Sequence, residues 1–174
     1  FTATLHHGGR HGFGSRIEGA VSSYRDLPPN ERVEAVRQCS QAMCGLLALD
    51  LFVGNDDRHL DNWLMRKNLS GQWAPLCIDF SRALFRRGFP NDAWPLPKCN
   101  TLTTIDLLRA ARLWDAAYAL FAVEQLQRVT PAVLQHWLQD CPLEWLPQPA
   151  RNSLAAWWAS PAYHSRLQGT FALL

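Results

Sequence analysis

The feature that most constrains this fold is a long run of apolar residues spaced three and four apart, which ends abruptly in a polar cluster. The spacing predicts one amphipathic helix from about Glu31 to Phe52, with Asn30 as its N-cap. Gly54 and Asn55 follow, and both residue types tolerate the left-handed backbone that ends helices. We therefore expect a long central helix that stops just before the polar cluster.

A short β-hairpin is predicted after the polar cluster. Its first strand covers Trp63 to Arg66, its turn includes Asn68 and Gly71, and its second strand ends at Ile78. Residues 85–102 contain three prolines and show no regular period, which predicts a surface loop.

The second half of the chain is predicted to be helical. A Leu- and Ala-rich helix covers Ile105 to Gln127, Thr130 and Pro131 form an N-cap and first-turn pair, and another helix fits Ala150 to Ala159. Most of the eight tryptophans lie in this half, and their spacing favours a role in core packing.

These elements predict a mainly α fold with a small β-hairpin, in one principal domain. Residues 1–25 hold five glycines without helical periodicity and are predicted to be an irregular or extended hinge or entry segment. The domain covers 26–174, with the chemistry-bearing loops at 54–82 and the helical half at 103–174. A chain of 174 residues with 48% hydrophobic composition is long enough for one sizeable core.

Charge and cysteine content exclude several classes of protein. Lys plus Arg total 17 against 15 Asp plus Glu, a balance that gives no strong field for nucleic acid or an anionic membrane. No apolar stretch approaches the roughly 20 residues of a membrane-spanning helix. The five cysteines form no CxxC pair, which favours a reduced, cytoplasmic compartment.

The polar cluster is too dense in reactive side chains to be treated as an ordinary turn. Within seven residues it contains Asp56, Asp57, His59, Asp61 and Asn62. A solvated loop is the ordinary explanation, since Asp and Asn favour turns and caps. However, antiparallel pairing of the hairpin places Asn62 beside Asp79.

One carboxylate and one amide oxygen suit Mg²⁺, a hard cation that keeps waters and shares phosphate oxygens with a substrate. Asp57 lies five residues before Asn62, close enough to accept a hydroxyl proton near the transferred group. The cluster therefore predicts phosphoryl transfer, with a base, a loop Asn and a metal-binding Asp79.

Two segments also resemble a known family. The run from Leu51 to Leu64, with Asp57-Arg58-His59 and Asn62, and the later run Leu76 to Ser81, resemble the catalytic and metal-binding loops of HipA-like kinases. They are more distantly similar to phosphatidylinositol 3- and 4-kinases, which share a DRHxxN loop and a later IDxG-type segment. Further similar segments extend the resemblance over most of the chain: Phe13 to Arg16, Thr130-Pro131 and Glu144 to Leu146.

The resemblance implies a protein-kinase-like C-lobe that binds ATP and Mg²⁺. It implies Asp57 as the catalytic base and Asn62 and Asp79 as Mg²⁺ ligands, with Arg58 and His59 organising the catalytic loop. Two further acidic residues of the cluster are expected to be exposed: Asp56 and Asp61. Three basic residues after the metal ligand either form a solvated face or steer an acidic acceptor: Arg82, Arg86 and Arg87.

The smaller lobe of such kinases supplies a phosphate-binding Lys on a strand and a loop that covers the phosphates. Neither is found before the long helix, because the only lysines are Lys67 and Lys98. We therefore expect the N-lobe to be missing from this chain or to be supplied by a partner chain.

Three functions remain open at this point. The first is a HipA-like, ATP-dependent kinase that acts on Ser or Thr hydroxyls of a protein substrate. The second is a non-catalytic module whose Trp-rich half binds an antitoxin-like protein or an N-lobe chain. The third, ranked last, is a metal-dependent phosphodiesterase, which would use four residues of the cluster: Asp56, Asp57, His59 and Asp61.

Overall fold

The computed structural model describes residues 2–7, 10–15, 21–80, 82–83 and 98–174. Within this part the helices are α1 (Pro29–Val53), α2 (Asn100–Ala110), α3 (Ala116–Leu126), α4 (Pro131–Gln139), α5 (Gln148–Trp158) and α6 (Pro161–Leu173). The strands are β1 (Thr2–His7), β2 (Arg10–Ser15), β3 (Val21–Ser23), β4 (Trp63–Lys67) and β5 (Trp73–Cys77). The fold is mainly helical with small antiparallel sheets, as the sequence predicted.

The sheets are short and entirely antiparallel. β1 pairs with β2 as a separate hairpin, and the second sheet has the order β3-β4-β5. The predicted hairpin is β4-β5, and it is confirmed, with Trp63 opposite Cys77. Its turn is held by Asn68, whose side-chain oxygen accepts hydrogen bonds from the main-chain N–H groups of Ser70 and Gln72.

Where the structure describes residues 1–25, they are mostly extended but more regular than the predicted irregular or extended segment. β1 and β2 are regular strands, and β3 pairs with β4, so that Val21 lies opposite Arg66. β3 and its partner β4 lie about 40 residues apart along the chain. Pairing over such a distance leaves no signal in the local glycine content of the sequence.

Helix α1 forms the centre of the core. It packs against α2, α3, α6 and β5. Its buried apolar side chains are Ala35, Cys39, Met43, Cys44, Leu47, Ala48, Leu51 and Phe52. The predicted helix is therefore confirmed, and its period of three and four follows the buried face.

The ends of α1 differ in how well the sequence predicted them. Its C-terminal cap is Gly54, as predicted, with φ at 69° and its N–H donating to the carbonyls of Asp50 and Leu51. The predicted N-cap, Asn30, is wrong, because the helix begins at Pro29 and Pro28 caps it without a side-chain hydrogen bond. Proline suits this first position since its missing N–H would have no helical partner.

An aromatic cluster joins the end of α1 to the C-terminal helices. The ring of Phe52 lies 5.7 Å from Trp158 and 5.8 Å from Tyr163, both in edge-to-face orientation. Trp157 and Trp158 of α5 are buried, which confirms their predicted role in core packing. The prediction is wrong for Trp137 and Trp145, which are 56% and 41% exposed.

The other helix boundaries depart from the sequence prediction at capping residues. The predicted helix over 105–127 is two helices, because Arg112 adopts a φ of 57° and Asp115 caps α3 through the Tyr118 N–H. α2 begins at Asn100, inside the predicted loop, of which residues 84–97 lie outside the described residues. Helix α6 was not predicted.

No helix in the described ranges is long and apolar enough to cross a bilayer. All five cysteines are free thiols, and Cys39, Cys44 and Cys99 are buried.

We expect Leu47→Ala to lower the free energy of unfolding by about 2–5 kcal/mol, because Leu47 is fully buried at the centre of α1 and its truncation leaves a cavity. Leu69→Ala is the matched control, since Leu69 is fully exposed in the hairpin turn. Urea unfolding of both variants measures the difference. Equal losses would contradict the central position of α1.

Candidate active site

The polar cluster forms a loop, residues 55–62, between the end of α1 and the start of β4. We call it the 55–62 loop. It ends in a short 3-10 turn at Leu60–Asn62 that leads directly into β4. Contacts from α1, from the end of β5 and from α2 all reach it, so that each side chain of the loop has a defined environment.

A buried ion pair anchors this loop to α1. Arg58 Nε donates to Asp50 Oδ2 at 2.7 Å and Arg58 Nη2 donates to Asp50 Oδ1 at 3.1 Å. Both side chains are fully buried. Asn55 adds a third bond, from its Nδ2 to Asp50 Oδ1 at 2.7 Å. Desolvation opposes the charged form of Arg58, but the hydrogen bonds and charge of Asp50 raise the pKa of the guanidinium.

The same guanidinium reaches the end of the hairpin. Arg58 Nη1 donates to the carbonyl of Asn62 at 3.2 Å and to that of Ile78. It also lies over the ring of Phe80, 4.6 Å from its centroid. Arg58 therefore supports the loop, as predicted. Because Arg58 is buried and its guanidinium is hydrogen-bonded to protein groups, its role is to position the loop and not to contact a substrate.

Helix α2 holds the other side of the loop, which the sequence did not predict. Thr101 Oγ1 donates to the carbonyl of Asn55 at 2.6 Å and accepts the N–H of Arg58 at 3.0 Å. Thr104 Oγ1 donates to the carbonyl of Arg58 at 2.7 Å. Both threonines are buried. The first turn of α2 thus satisfies main-chain groups of the loop that water cannot reach.

The predicted base, Asp57, lies on the outer side of the loop with a side chain that is 19% exposed. Its Oδ1 accepts a hydrogen bond from Asn100 Nδ2 at 2.6 Å, and its Oδ2 lies 2.9 Å from Arg82 Nε. Arg82 also lies 3.5 Å from Asp56 Oδ1. Arg82 therefore contacts the loop carboxylates and does not belong to a purely solvated face. The other two basic residues of that prediction, Arg86 and Arg87, lie outside the described residues.

The predicted exposure of the flanking acidic residues is wrong for Asp56 and only partly right for Asp61. Asp56 is buried, and the described structure gives it the ion pair with Arg82. Asp61 is half-exposed and accepts two hydrogen bonds from Arg25, one of them at 3.0 Å from Nε. This second ion pair attaches the chain preceding α1 to the loop, and it lies near the surface, where such pairs contribute at most about 1 kcal/mol.

The two predicted Mg²⁺ ligands follow the hairpin register. Ile78 N–H donates to the carbonyl of Asn62 at 3.2 Å, so that Asp79 comes one residue after the position opposite Asn62. Asn62 is buried, and its Nδ2 donates to the carbonyl of Asp57 at 2.9 Å, which fixes the orientation of its amide. Asp79 is exposed and adopts a φ of 59°.

His59 contributes less than predicted. Its Nδ1 is buried without a hydrogen-bond partner and lies 3.8 Å from Asp61 Oδ2. His59 is predicted to organise the loop, but its Nδ1 makes no hydrogen bond. The side-chain hydrogen bonds that brace the loop come instead from residues such as Arg58.

Two other kinds of chemistry lack support at this site. Desolvation raises the pKa of the neighbouring Cys77 thiol to about 12, which removes it as a nucleophile. Within the described ranges, no three His, Cys, Asp or Glu side chains are grouped to hold a metal ion. The predicted transition-metal phosphodiesterase would need such a group.

Comparisons with protein-family models, with curated proteins and with solved structures found no match to this chain.

We expect Asp50→Asn to lower the free energy of unfolding by about 3–5 kcal/mol, because it leaves the buried Arg58 charge without its counterion. The matched control is Asp61→Asn, which removes the carboxylate of the exposed pair with Arg25 and should cost about 1 kcal/mol or less. Urea unfolding measures both. A loss for Asp50→Asn no larger than that of the control would contradict the anchoring role.

Proposed function

We propose that this chain is the protein-kinase-like C-lobe of a HipA-like, ATP-dependent phosphotransferase that acts on Ser or Thr hydroxyls of a protein. The observation that carries the proposal is the bond from Asn62 Nδ2 to the carbonyl of Asp57. This bond lies within the 55–62 loop, and the Ile78 N–H, which donates to the carbonyl of Asn62, joins that loop to the hairpin end that carries Asp79.

The donor set fits Mg²⁺. An amide oxygen and a carboxylate are hard ligands, and two protein ligands leave positions for water and for phosphate oxygens. Asn62 and Asp79 would hold the cation, which supplies charge neutralisation at the transferred phosphate when nucleotide is bound.

In the proposed reaction, Asp57 accepts the proton of the acceptor hydroxyl as its oxygen forms a bond to the γ-phosphorus. The bond between that phosphorus and ADP breaks, and ADP leaves with the electron pair. Arg82 faces Asp57 Oδ2 from a side chain that is 41% exposed, so the acceptor hydroxyl would replace it there. The buried pair of Asp50 and Arg58 keeps the loop in place while this exchange occurs.

Neither lysine of the described residues lies on a strand before α1, where such kinases carry the phosphate-binding Lys, since Lys98 precedes α2 and Lys67 ends β4. Lys67 lies 3.4 Å from Glu31 Oε1 and stacks over Trp73 at the far end of the hairpin. This supports an N-lobe that completes the site from elsewhere in a longer chain or from a partner chain.

The second candidate function is a non-catalytic module that binds a protein. The observation that favours it is the exposure of four aromatic side chains in the helical half: Tyr118, Phe121, Trp137 and Trp145. Aromatic side chains are enriched in the core of protein interfaces. The partner would be an antitoxin-like protein or an N-lobe chain.

We expect Asp57→Asn to lower phosphate transfer by at least 100-fold while Mg²⁺-ATP affinity stays nearly unchanged, because the amide keeps the shape but cannot accept a proton. Asp79→Asn should lower both turnover and nucleotide affinity, since it removes a charge from the cation site. Transfer from labelled ATP and nucleotide affinity are measured in the protein with its natural flanking sequence.

Asp106→Asn is the control for both variants, because Asp106 lies on α2 with a side chain that is 72% exposed and forms an ion pair with Arg109 at 3.6 Å, within the same helix. Transfer by the control should stay within twofold of wild type. If Asp57→Asn and Asp79→Asn also leave transfer unchanged, the binding-module function replaces the kinase.

We also expect the isolated 174-residue chain to bind Mg²⁺-ATP weakly, because it offers the cation ligands without a lobe that clamps the phosphates. Calorimetry should show little heat until an N-lobe is restored. Tight binding by the isolated chain would contradict the need for that lobe.

A further inference from the structure

The two oxygens of the Asp57 carboxylate have different partners. Oδ1 accepts the 2.6 Å hydrogen bond from Asn100 Nδ2, whereas Oδ2 lies 2.9 Å from Nε of Arg82, whose side chain is 41% exposed. An amide N–H can donate to a carboxylate but does not take up a proton from a hydroxyl. The contact with Asn100 therefore occupies Oδ1, and Oδ2 is the oxygen that an acceptor hydroxyl reaches when it replaces Arg82.

The Asn100 side chain is not needed to form α2. The N-cap of that helix is Cys99, whose Sγ accepts the N–H of Leu102, and the main-chain N–H of Asn100 already donates to the carbonyl of Asp56 at 3.1 Å. The side chain is exposed and reaches across to Asp57. Its one described hydrogen bond is thus directed at the base.

We propose that Asn100 is a positioning residue for Asp57, an inference that rests on the proposed function. The carboxylate torsion has a broad, roughly two-fold energy profile, so a free carboxylate samples many orientations. Asn100 holds Oδ1 and thereby fixes the plane of the carboxylate, with Oδ2 turned toward the acceptor hydroxyl. A general base acts only when its accepting oxygen is within hydrogen-bond reach of the proton.

The reaction step itself is unchanged by this assignment. The hydroxyl O–H bond breaks and its proton goes to Asp57 Oδ2, while the hydroxyl oxygen bonds to the γ-phosphorus and ADP leaves with the electrons of the broken P–O bond. Asn100 gains and loses no proton. Its effect is on the fraction of time that Oδ2 is correctly oriented.

The test compares Asn100→Ala and Asn100→Asp with wild type, in the protein with its natural flanking sequence. Asp removes the donor and adds a charge that repels Asp57, yet it suits the first turn of a helix. Thr103→Ala is the matched control, because Thr103 is exposed in the same turn and its Oγ1 donates to Cys99 within α2. Transfer from labelled ATP to casein gives kcat and the KM for Mg²⁺-ATP.

We expect Asn100→Ala to lower kcat by about 10- to 100-fold with the KM for Mg²⁺-ATP within twofold of wild type. Asn100→Asp should lower kcat at least as far without lowering the melting temperature, whereas Thr103→Ala should keep kcat within twofold. In an Asp57→Asn background, Asn100→Ala should cause no further loss, because it acts through Asp57.

The outcomes separate this inference from the proposed function. If Asp57→Asn abolishes transfer but Asn100→Ala leaves kcat unchanged, the positioning role is wrong and the kinase stands. An equal fractional loss from Asn100→Ala in both backgrounds also overturns the role, since it shows an effect independent of Asp57. A wild-type protein that transfers no phosphate, with the N-lobe restored, overturns both.

Discussion

The buried pair of Asp50 and Arg58 is the interaction on which the candidate site depends. Two charges removed from water are costly unless every polar atom finds a partner, and here the partners come from three places: the carboxylate of α1, the side chain of Asn55, and two carbonyls at the open end of the hairpin. The pair therefore specifies one arrangement of helix, loop and sheet, because any other would leave a buried charge unpaired.

Around this anchor, the residues divide by exposure into a fixed group and a reacting group. The guanidinium, its carboxylate and the two buried threonines of α2 have all of their described contacts inside the protein. In the proposed function the reacting group is Asp57, whose side chain is 19% exposed, and Asp79, which is exposed. This division suits phosphoryl transfer, in which the protein contributes mostly position and charge.

The contacts of the loop also join segments that are distant along the chain. Arg25 reaches Asp61 across 36 residues, and Asn100 reaches Asp57 across 43. Both side chains, Arg25 and Asn100, come from elements outside the 55–62 loop. A change in either element would consequently alter the loop, although only the contact with Asp57 touches a proposed reacting group.

Local pattern determined much of the fold. The period of α1, the left-handed Gly54 and the cap at Thr130 are properties of short segments, and the hairpin pairing that puts Ile78 opposite Asn62, one residue before Asp79, is likewise local. The role of Asp50 was not predicted, because the sequence shows only a single charge within the apolar stretch 43–53. Its partner, Arg58, lies eight residues later, and the structure shows that it folds back onto Asp50. Likewise, only the packing of α2 decided that Asn100 and Thr101 face the loop, because hydrogen bonds across more than 40 residues leave no periodicity in the sequence.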